Sequence, residues 1–499
     1  MHQPTSAEII AQFANLKTFK PGPPTASAGR LDAFFDYDRP ETYGVHVEHV
    51  KVPLRDGSHL ACDVRRPAEA DGAPAGGRFP GIVVEFNAYG AQEFFGSGAD
   101  YYVARGYVAA VGAVRGSGES PGHLEPFGPQ EQRDNVDLIE WLAAQPFSTG
   151  KVGQMGVSYG GHTTLLGAVS KPAHLTAVIA IQALSDWYEN TIYRGGIPNA
   201  LIREWQSSTA PETLETYPQH PLYDDYWRER SVKARWDDLT IPVLDVGGWF
   251  DQYRDAMVQN FQARPQNTWM VAGPWTHGMV PGQFEDIAAA CYLAWWDHWL
   301  SDRPGALPQA KVTSYEATGT GPGLGWRQFS TWPPAESEQA FWNLTADGML
   351  SASGQAPATA QFEANTGRLT FDTPPLPSDV VLAGGFEAAL RASFTAEDGN
   401  IAVVLEDVGP DGEAARITNG WLKASHRHGN EHRQSVTPGD FYDLEVPLWP
   451  AHTRILAGHS LRLTVSSDDY PLIDTEAPAG TVRLELGSAA TQLRYRRMP

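Results

Sequence analysis

After a polar and proline-rich start, short apolar runs alternate along the chain with segments in which apolar residues recur at helical spacing. FPGIVVEF (79–86) and KVGQMGVS (151–158) are apolar runs, whereas EQRDNVDLIEWLAAQP (131–146) carries apolar residues at helical intervals. Short strands separated by helices are typical of a sheet covered by helices. The same alternation returns at IPVLDVGGWFD (241–251) and NTWMVAGPWTHG (267–278). We therefore predict an α/β domain that is interrupted once.

Two other regions break this alternation. Residues 187–235 are aromatic and charged with helical spacing, which predicts an inserted helical cap. Residues 338–499 contain recurring strand-like pieces separated by turn residues, which predicts an all-β sandwich. We expect the following organisation: an N-terminal arm (1–44), an α/β domain in two parts (45–186 and 236–305) around the cap (187–235), a linker (306–337) and a β-sandwich domain (338–499).

Charge and cysteine content narrow the function classes. Thirty-seven basic against 59 acidic residues give a net charge of −22, which argues against nucleic acid or an anionic membrane as a partner. Cys62 and Cys291 are too few for a disulfide framework or a four-ligand zinc site, so both are expected to be buried free thiols. No apolar run is long enough for a signal peptide or a membrane span, which predicts a cytoplasmic protein.

One motif carries chemistry. Gly156-Val157-Ser158-Tyr159-Gly160 is a G-x-S-x-G pattern, and it lies between a predicted strand and a predicted helix. A serine in that setting is either a nucleophile on a sharp strand-to-helix turn or a small residue in a glycine-rich bend. The motif alone does not separate the two.

A nucleophilic serine needs a histidine base and an orienting carboxylate, which in an α/β sheet follow in the order Ser, Asp, His at strand ends. Asp251 and His277 each follow an apolar strand in that order. Asp245 within the strand and Asp255 one helical turn later are rival acids. His162 is the rival base, but four residues after Ser158 on one helix it would point away from the turn.

Taken together, several motifs resemble the cocaine esterase family of hydrolases, which includes X-prolyl dipeptidyl peptidases, glutaryl acylases and α-amino acid ester hydrolases. The resemblance runs from about residue 45 to the end. It implies an α/β-hydrolase domain with a helical cap and a C-terminal jelly roll, with Ser158 as nucleophile, His277 as base and Asp251 as orienting acid. The motifs are GVSYGG, GGWFD, GPWTHG, VRGSGESPG, FWNLTADG and VSSDDYP.

The resemblance extends to the oxyanion hole and the substrate pocket. The elbow geometry makes the backbone N–H of Tyr159 one oxyanion donor. In this family a tyrosine hydroxyl after an early strand is the second, and EFNAYG places Tyr89 at that position. Pocket walls in the family come from the cap, the jelly roll and residues beside the acid, which implies an aromatic acyl site. Its expected members are Trp187, Tyr188, Trp205 and Tyr253, each of which could equally be a packing residue.

The sequence thus predicts a serine esterase that acts on a small-molecule ester with an apolar or aromatic acyl group and that needs no metal or cofactor. An amidase, an acylase and an X-prolyl-type peptidase use the same machinery and stay open. A non-catalytic binding protein is the rival from another class. The histidine-rich SHRHGNEH (425–432) is interpreted as a solvated loop, and the family's habit of self-association makes a homodimer a candidate assembly.

Overall fold

The computed structural model describes residues 32–90, 92–277, 288–301, 303, 307–319, 324–475, 477–487 and 491–499. The arm predicted for residues 1–44 lies outside this set up to residue 31. The chain divides into two compact units that are interleaved in sequence. The first unit runs up to Asp186 and resumes at Trp227–Val312; the second contains Trp187–Tyr226 and Thr313–Pro499.

Strands occupy most of the regular structure that the described residues form. In chain order they are β1 (Gly44–Pro53), β2 (His59–Ala68), β3 (Phe79–Asn87), β4 (Val108–Ala113), β5 (Ser148–Val157), β6 (Leu175–Ile181), β7 (Tyr193–Arg194), β8 (Ile197–Pro198), β9 (Val243–Phe250), β10 (Thr268–Thr276), β11 (Val312–Thr318), β12 (Gly325–Phe329), β13 (Glu338–Leu344), β14 (Leu350–Ser351), β15 (Ala358–Glu363), β16 (Arg368–Asp372), β17 (Val380–Phe394), β18 (Asn400–Val408), β19 (Ala414–Lys423), β20 (Phe441–Ile455), β21 (Ser460–Ser466), β22 (Thr481–Leu486) and β23 (Gln492–Arg497).

Helices are concentrated in the first three hundred residues. In chain order the α-helices are α1 (Gln92–Val103), α2 (Pro129–Ala143), α3 (Tyr159–Val169), α4 (Ile202–Thr209), α5 (Thr213–Thr216), α6 (Asp225–Arg228), α7 (Arg254–Ala263) and α8 (Ala288–Trp299). A π-turn covers Tyr188–Ile192, and 3₁₀ turns cover Tyr217–Gln219, Lys233–Asp238 and Ala424–His426. Among the described residues, no helix is both long enough and apolar enough to cross a bilayer.

The first unit contains one sheet with strand order β1-β2-β4-β3-β5-β6-β9-β10. β1 and β2 form an antiparallel hairpin, with Gly44 opposite Ala68 and Pro53 opposite His59. From β4 onward the strands are parallel, and every residue of β3 and of β4 is buried. Strands that are buried along their whole length are expected where helices cover both faces of the sheet. The predicted α/β-hydrolase core is therefore confirmed.

The second unit is β-rich, as predicted for its C-terminal part. The long strands β17 and β20 pair antiparallel from Val380 opposite Ile455 to Ser393 opposite Phe441. Alternate residues of these strands and their neighbours form one apolar core, which includes Leu382, Phe386 and Leu463. The C-terminal β-rich domain is confirmed, and its jelly-roll connectivity stays a prediction.

The cap differs from its prediction in one respect. Helical spacing over residues 187–235 predicted a helical cap, but within it β7 and β8 also pair as a two-stranded ribbon, with Tyr193 opposite Pro198. Gly195 and Gly196 both have positive φ angles, of 57° and 80°, so this glycine pair turns the chain back on itself. The helices that do form here are short.

A buried carboxylate ties the start of the described chain to the sheet. Asp297 on α8 is fully buried and accepts hydrogen bonds from Arg39 at 2.7 and 2.9 Å, from the Tyr37 hydroxyl at 2.7 Å and from the Tyr107 hydroxyl at 2.5 Å. A carboxylate that is removed from water needs this number of donors to offset its lost hydration.

We predict that Asp297→Asn lowers the free energy of unfolding by about 3–5 kcal/mol, because the largely enclosed Arg39 guanidinium then loses its counter-ion. Urea denaturation measures this loss. Asp137→Asn is the matched control, since Asp137 pairs with the half-exposed Arg55; breaking such a pair should cost at most about 1 kcal/mol. Equal losses in the two variants would contradict the anchoring role of Asp297.

Candidate active site

Ser158 occupies a sharp turn between a strand and a helix. β5 ends at Val157 and α3 begins at Tyr159, so Ser158 is the only residue between them. Its backbone has φ 59° and ψ −112°, a conformation that L-residues rarely adopt. The Ser158 N–H donates to the carbonyl of Ile181 at 2.9 Å, which fixes the turn to the end of β6. The side chain is thereby presented at the carboxyl edge of the sheet.

The two flanking glycines are required by close packing. A Cβ atom on Gly156 would lie 2.5 Å from the backbone of Gly160, and one on Gly160 would lie 1.9 Å from Glu85 Oε2. Neither position leaves room for a side chain. The G-x-S-x-G pattern is therefore explained by a strand and a helix that meet without space between them.

The three side chains predicted for catalysis form one hydrogen-bonded chain. Ser158 Oγ lies 3.0 Å from His277 Nε2, and His277 Nδ1 lies 3.1 Å from Asp251 Oδ1. Asp251 directly follows β9 and is 1% exposed, and His277 directly follows β10. This order and these distances satisfy the geometric requirement for a serine activated by a base and an oriented imidazole.

Neighbouring groups hold the acid and the histidine in place. Asp251 Oδ1 also accepts the backbone N–H of Tyr253 at 2.9 Å. The Tyr253 ring stands edge-on to the His277 ring, with centroids 5.0 Å apart. The Gln182 amide donates to the carbonyl of Thr276 at 2.8 Å, immediately before His277. Gln182 was not predicted as a site residue. The sequence signal for it was its position directly after the apolar run of β6.

The two residues predicted as oxyanion donors contact each other through their rings. Tyr159 is the first residue of α3, where a backbone N–H points out of the helix end. Tyr89 follows β3, is 41% exposed, and packs its ring edge-on against the Tyr159 ring at a centroid distance of 5.9 Å. The structure therefore brings Tyr89 into contact with the residue that directly follows Ser158, and the oxyanion role of the two residues stays a prediction.

Two buried carboxyl groups that sequence analysis missed lie under this turn. Glu131 accepts the Tyr159 hydroxyl at 2.5 Å and the backbone N–H of Phe127 at 3.2 Å. Glu85 accepts the backbone N–H of Val157 at 2.7 Å. Burial raises the pKa of each group to about 8, against the opposing effect of these hydrogen bonds. For Glu85 the available signal was a charged residue inside the apolar run FPGIVVEF, whereas Glu131 lies in the polar run EQRDN and offered no such signal.

The rival acids and the rival base occupy other positions. His162 is fully buried, and its ring nitrogens lie 3.1 and 2.9 Å from the carbonyls of Leu184 and Arg230. Burial lowers the pKa of His162 to about 4. Asp245 is fully buried within β9, which raises its pKa well above the ordinary value, and Asp255 lies in the first turn of α7.

The remaining pocket candidates lie in the second unit. Trp187 is 3% exposed, donates its indole N–H to the Tyr217 hydroxyl at 2.9 Å, and packs edge-on against Trp205 at 5.5 Å. Tyr188 is fully buried, and its hydroxyl donates to the carbonyl of Pro221 at 3.0 Å. These contacts account for cap packing, and a substrate-binding role for the three residues stays a prediction.

The histidine-rich loop, interpreted from the sequence as solvated, contains one buried histidine. His426 is 3% exposed, and its Nδ1 lies 3.1 Å from Asn430 Oδ1. Within the part of the chain that the structure describes, no three His, Cys, Asp or Glu side chains are grouped so that they could hold a metal ion.

The raised pKa of Glu131 has a consequence for stability. Between pH 4.5 and about 8 the folded protein keeps a proton on Glu131 that the unfolded chain releases. Stability therefore falls with rising pH in this window, by at most about 1.4 kcal/mol per pH unit from this group. We predict that the melting temperature of Glu131→Gln, which cannot titrate, falls less from pH 5 to pH 8 than that of the wild type.

Glu119→Gln is the control for this comparison, because Glu119 is exposed. Its melting curve should follow the wild type at both pH values. Parallel pH dependences of Glu131→Gln and the wild type would show that Glu131 is ionised in the folded protein throughout the window.

Two parts of the chain match known domain families. Residues 56–211 and 198–279 match the X-Pro dipeptidyl-peptidase (S15 family) model. Residues 305–497 match the X-Pro dipeptidyl-peptidase C-terminal non-catalytic domain. The first match contains the turn at Ser158, Asp251 and His277, and the second contains the β-rich domain.

Individual proteins match over most of the chain. Cocaine esterase of Rhodococcus sp. (strain MB1 Bresler) is 24% identical, over 87% of this chain and 92% of its own length. The Xaa-Pro dipeptidyl-peptidase of Lacticaseibacillus casei (strain BL23) is 21% identical, over 90% of this chain and 68% of its own length.

Among solved structures, a CocE/NonD family hydrolase from Staphylococcus aureus superimposes with a TM-score of 0.80 at 20% identity, over 96% of this chain and 100% of that chain. A match at this identity shows a shared fold. The two domain matches, which together span most of the chain, and the match to cocaine esterase show that the chain belongs to the cocaine esterase-like family of α/β-hydrolases, to which the X-Pro dipeptidyl-peptidases are related.

Proposed function

We propose that the protein hydrolyses carboxylic esters with an apolar or aromatic acyl group through an acyl-enzyme on Ser158. The observation that carries this proposal is the hydrogen-bonded chain from Ser158 Oγ through His277 to Asp251, at 3.0 and 3.1 Å. A serine hydroxyl is a weak nucleophile unless a base stands within this reach. The family places the protein among serine hydrolases and leaves the bond it cleaves open.

Acylation begins when Ser158 Oγ attacks the ester carbonyl and His277 Nε2 takes the hydroxyl proton. Asp251, held by the Tyr253 amide, keeps His277 Nδ1 protonated and stabilises the imidazolium that forms. His277 then gives its proton to the departing alcohol. Water attacks the acyl-enzyme in the second half, with His277 again as base, and Ser158 is released.

Negative charge develops on the carbonyl oxygen in both tetrahedral intermediates. We assign its stabilisation to the backbone N–H of Tyr159 and the hydroxyl of Tyr89. Donors that are already in place cost no reorganisation during the reaction, and removal of one such donor typically lowers kcat by about 10²–10³-fold.

The proposed preference for an uncharged acyl group is argued from the residues that follow Asp251. The run Asp251-Gln252-Tyr253-Arg254 offers no further carboxylate directly after the acid to hold a substrate ammonium group. Tyr253 is 4% exposed and its ring borders His277. An uncharged acyl group therefore fits this wall better than a cationic one. Trp187, Tyr188 and Trp205 are the proposed aromatic walls from the cap.

Amide or X-Pro peptide hydrolysis is the second candidate, because the match to the S15 family covers the catalytic residues. The machinery would be the same, and the leaving group would be an amine. A binding protein without activity is disfavoured by the intact Ser158–His277–Asp251 geometry.

We predict that p-nitrophenyl benzoate is turned over faster than the matched p-nitroanilide and faster than a short aliphatic ester, because the proposed acyl site is aromatic. Initial rates on this panel, with Ser158→Ala as control, provide the measurement. Anilide rates equal to ester rates would favour the acylase or peptidase alternative, and no turnover of either would favour the binding protein.

A second prediction concerns the roles of single side chains. Asp251→Asn should lower kcat by about 10⁴-fold, because the amide favours the wrong imidazole tautomer. Tyr89→Phe should lower kcat by about 10²-fold with little change in KM, because the lost hydrogen bond is made in the transition state. Steady-state kinetics on the preferred ester test both; wild-type kcat in Tyr89→Phe would remove Tyr89 from the oxyanion hole.

A further inference from the structure

A buried chain of hydrogen bonds links the end of β5 to the loop after β3. The Val157 N–H donates to Glu85 Oε1 at 2.7 Å, and the Asn87 side-chain amide donates to Glu85 Oε2 at 3.2 Å. Asn87 Oδ1 in turn accepts the backbone N–H of Tyr89 at 2.9 Å. Glu85 and Asn87 are each 3% exposed.

The donors and acceptors in this chain of hydrogen bonds can be arranged in one way. The Tyr89 backbone N–H can only donate, so Asn87 must turn its carbonyl oxygen toward Tyr89 and its NH₂ group toward Glu85. Val157 also presents a donor to Glu85. A side chain at position 85 must therefore accept hydrogen bonds on both of its polar atoms, which a carboxylate does and an amide does not.

The same carboxylate lies against the first turn of α3. A Cβ atom on Gly160 would fall 1.9 Å from Glu85 Oε2 and 2.8 Å from its carboxyl carbon. Glu85 thus contacts the residue before Ser158 and a residue just after it, and it reaches Tyr89 through Asn87. Glu85 is therefore connected both to the Ser158 turn and, through Asn87, to the segment that carries Tyr89.

We propose that Glu85, acting through Asn87, is a positioning residue that sets Tyr89 relative to the Ser158 turn and so fixes the spacing of the two oxyanion donors. The inference rests on the proposed function, in which the Tyr89 hydroxyl and the Tyr159 amide stabilise the oxyanion. Glu85 itself touches no reacting atom. Its effect on the rate passes through the geometry of Tyr89 and of the turn.

Burial of a carboxyl group at this place needs a reason beyond packing. Moving a carboxylate out of water is costly, and an apolar side chain would fill the same space without that cost. Burial raises the pKa of Glu85 to about 8, and its two donors oppose this shift. Val157, Asn87 and Gly160, the neighbours that define its contacts among the described residues, carry no titratable side chain.

The ionised form is the one that fits the chain. Above pH 8 the carboxylate accepts from Val157 and from Asn87 together. Below pH 8 the added proton turns one of the two carboxyl oxygens into a hydroxyl, which is a weaker acceptor for its donor. The alignment of Tyr89 should therefore improve as the pH rises through about 8.

The test first breaks this chain of hydrogen bonds and then restores it with the donor and the acceptor exchanged between positions 85 and 87. In Glu85→Gln the introduced amide presents its NH₂ group to the NH₂ group of Asn87, and the chain breaks. In the double variant Glu85→Gln/Asn87→Asp the introduced amide donates to the introduced carboxylate, which still accepts the Tyr89 N–H. Every hydrogen bond of the chain is possible again. Asp245→Asn, which also replaces a fully buried carboxyl group in the sheet, is the matched control.

Two readouts are measured at pH 9: kcat and KM on the preferred ester, and the second-order rate of Ser158 labelling by a fluorophosphonate. Glu85→Gln should lower kcat and the labelling rate about tenfold or more with KM little changed, since small displacements of catalytic groups are costly. The double variant should return to within about threefold of wild type. Asp245→Asn should match wild type in both.

Coupling to Tyr89 separates positioning from a loss of stability. In a Tyr89→Phe background, the portion of the Glu85→Gln effect that passes through Tyr89 should disappear, so the two substitutions should be less than additive in kcat. The ratio of wild-type to Glu85→Gln rates should also be smaller at pH 6 than at pH 9. A purely structural role predicts additive effects and a constant ratio.

Three results would overturn the inference while leaving the proposed function intact: wild-type rates in Glu85→Gln, a double variant no faster than Glu85→Gln, or full additivity with Tyr89→Phe. Failure of the proposed function looks different, because wild-type protein would then turn over no ester of the panel. The labelling rate still reports on Ser158 in that case, so the positioning role is measured independently of the substrate.

Discussion

The backbone conformation of Ser158 is the constraint on which the site depends. A non-glycine residue at φ 59° and ψ −112° is strained, at a cost of order 1–3 kcal/mol, and it persists only where the surroundings enforce it. Here β5 enters the turn, α3 leaves it, and Gly156 and Gly160 let the two backbones meet. This enforced conformation places the Ser158 hydroxyl at the carboxyl edge of the sheet, where the acid and the base also lie.

The acid and the base reach this edge because the strands that precede them run parallel to β5. β5, β6, β9 and β10 are neighbours in the sheet and end at the same edge. Ser158, Asp251 and His277 each follow one of these ends, so a short side-chain reach joins residues that are far apart in sequence. Gln182 at the end of β6 then secures the backbone that carries His277. A rigid sheet thus performs the pre-organisation that catalysis requires.

The strand-turn-helix setting of Ser158 and the order of acid and base could be predicted because both depend on local pattern. Glu85 could not be placed in the same way. Its letter was visible in FPGIVVEF, but its role depends on which residue of β5 lies beside it, and that is decided by tertiary packing. Glu131 presents the same case on a helix. The ribbon in the cap was missed because helical spacing outweighed the signal of Gly195-Gly196.

Trapping the acyl-enzyme shows whether Ser158 is an activated nucleophile. Wild-type protein is mixed with excess p-nitrophenyl benzoate, quenched in acid within the first turnover, and examined by intact mass and peptide mapping. We expect the wild-type protein to gain one benzoyl group on Ser158 and the Ser158→Ala variant to gain none. Turnover without any covalent adduct, or an adduct on a residue other than Ser158, would contradict the role of Ser158 as nucleophile.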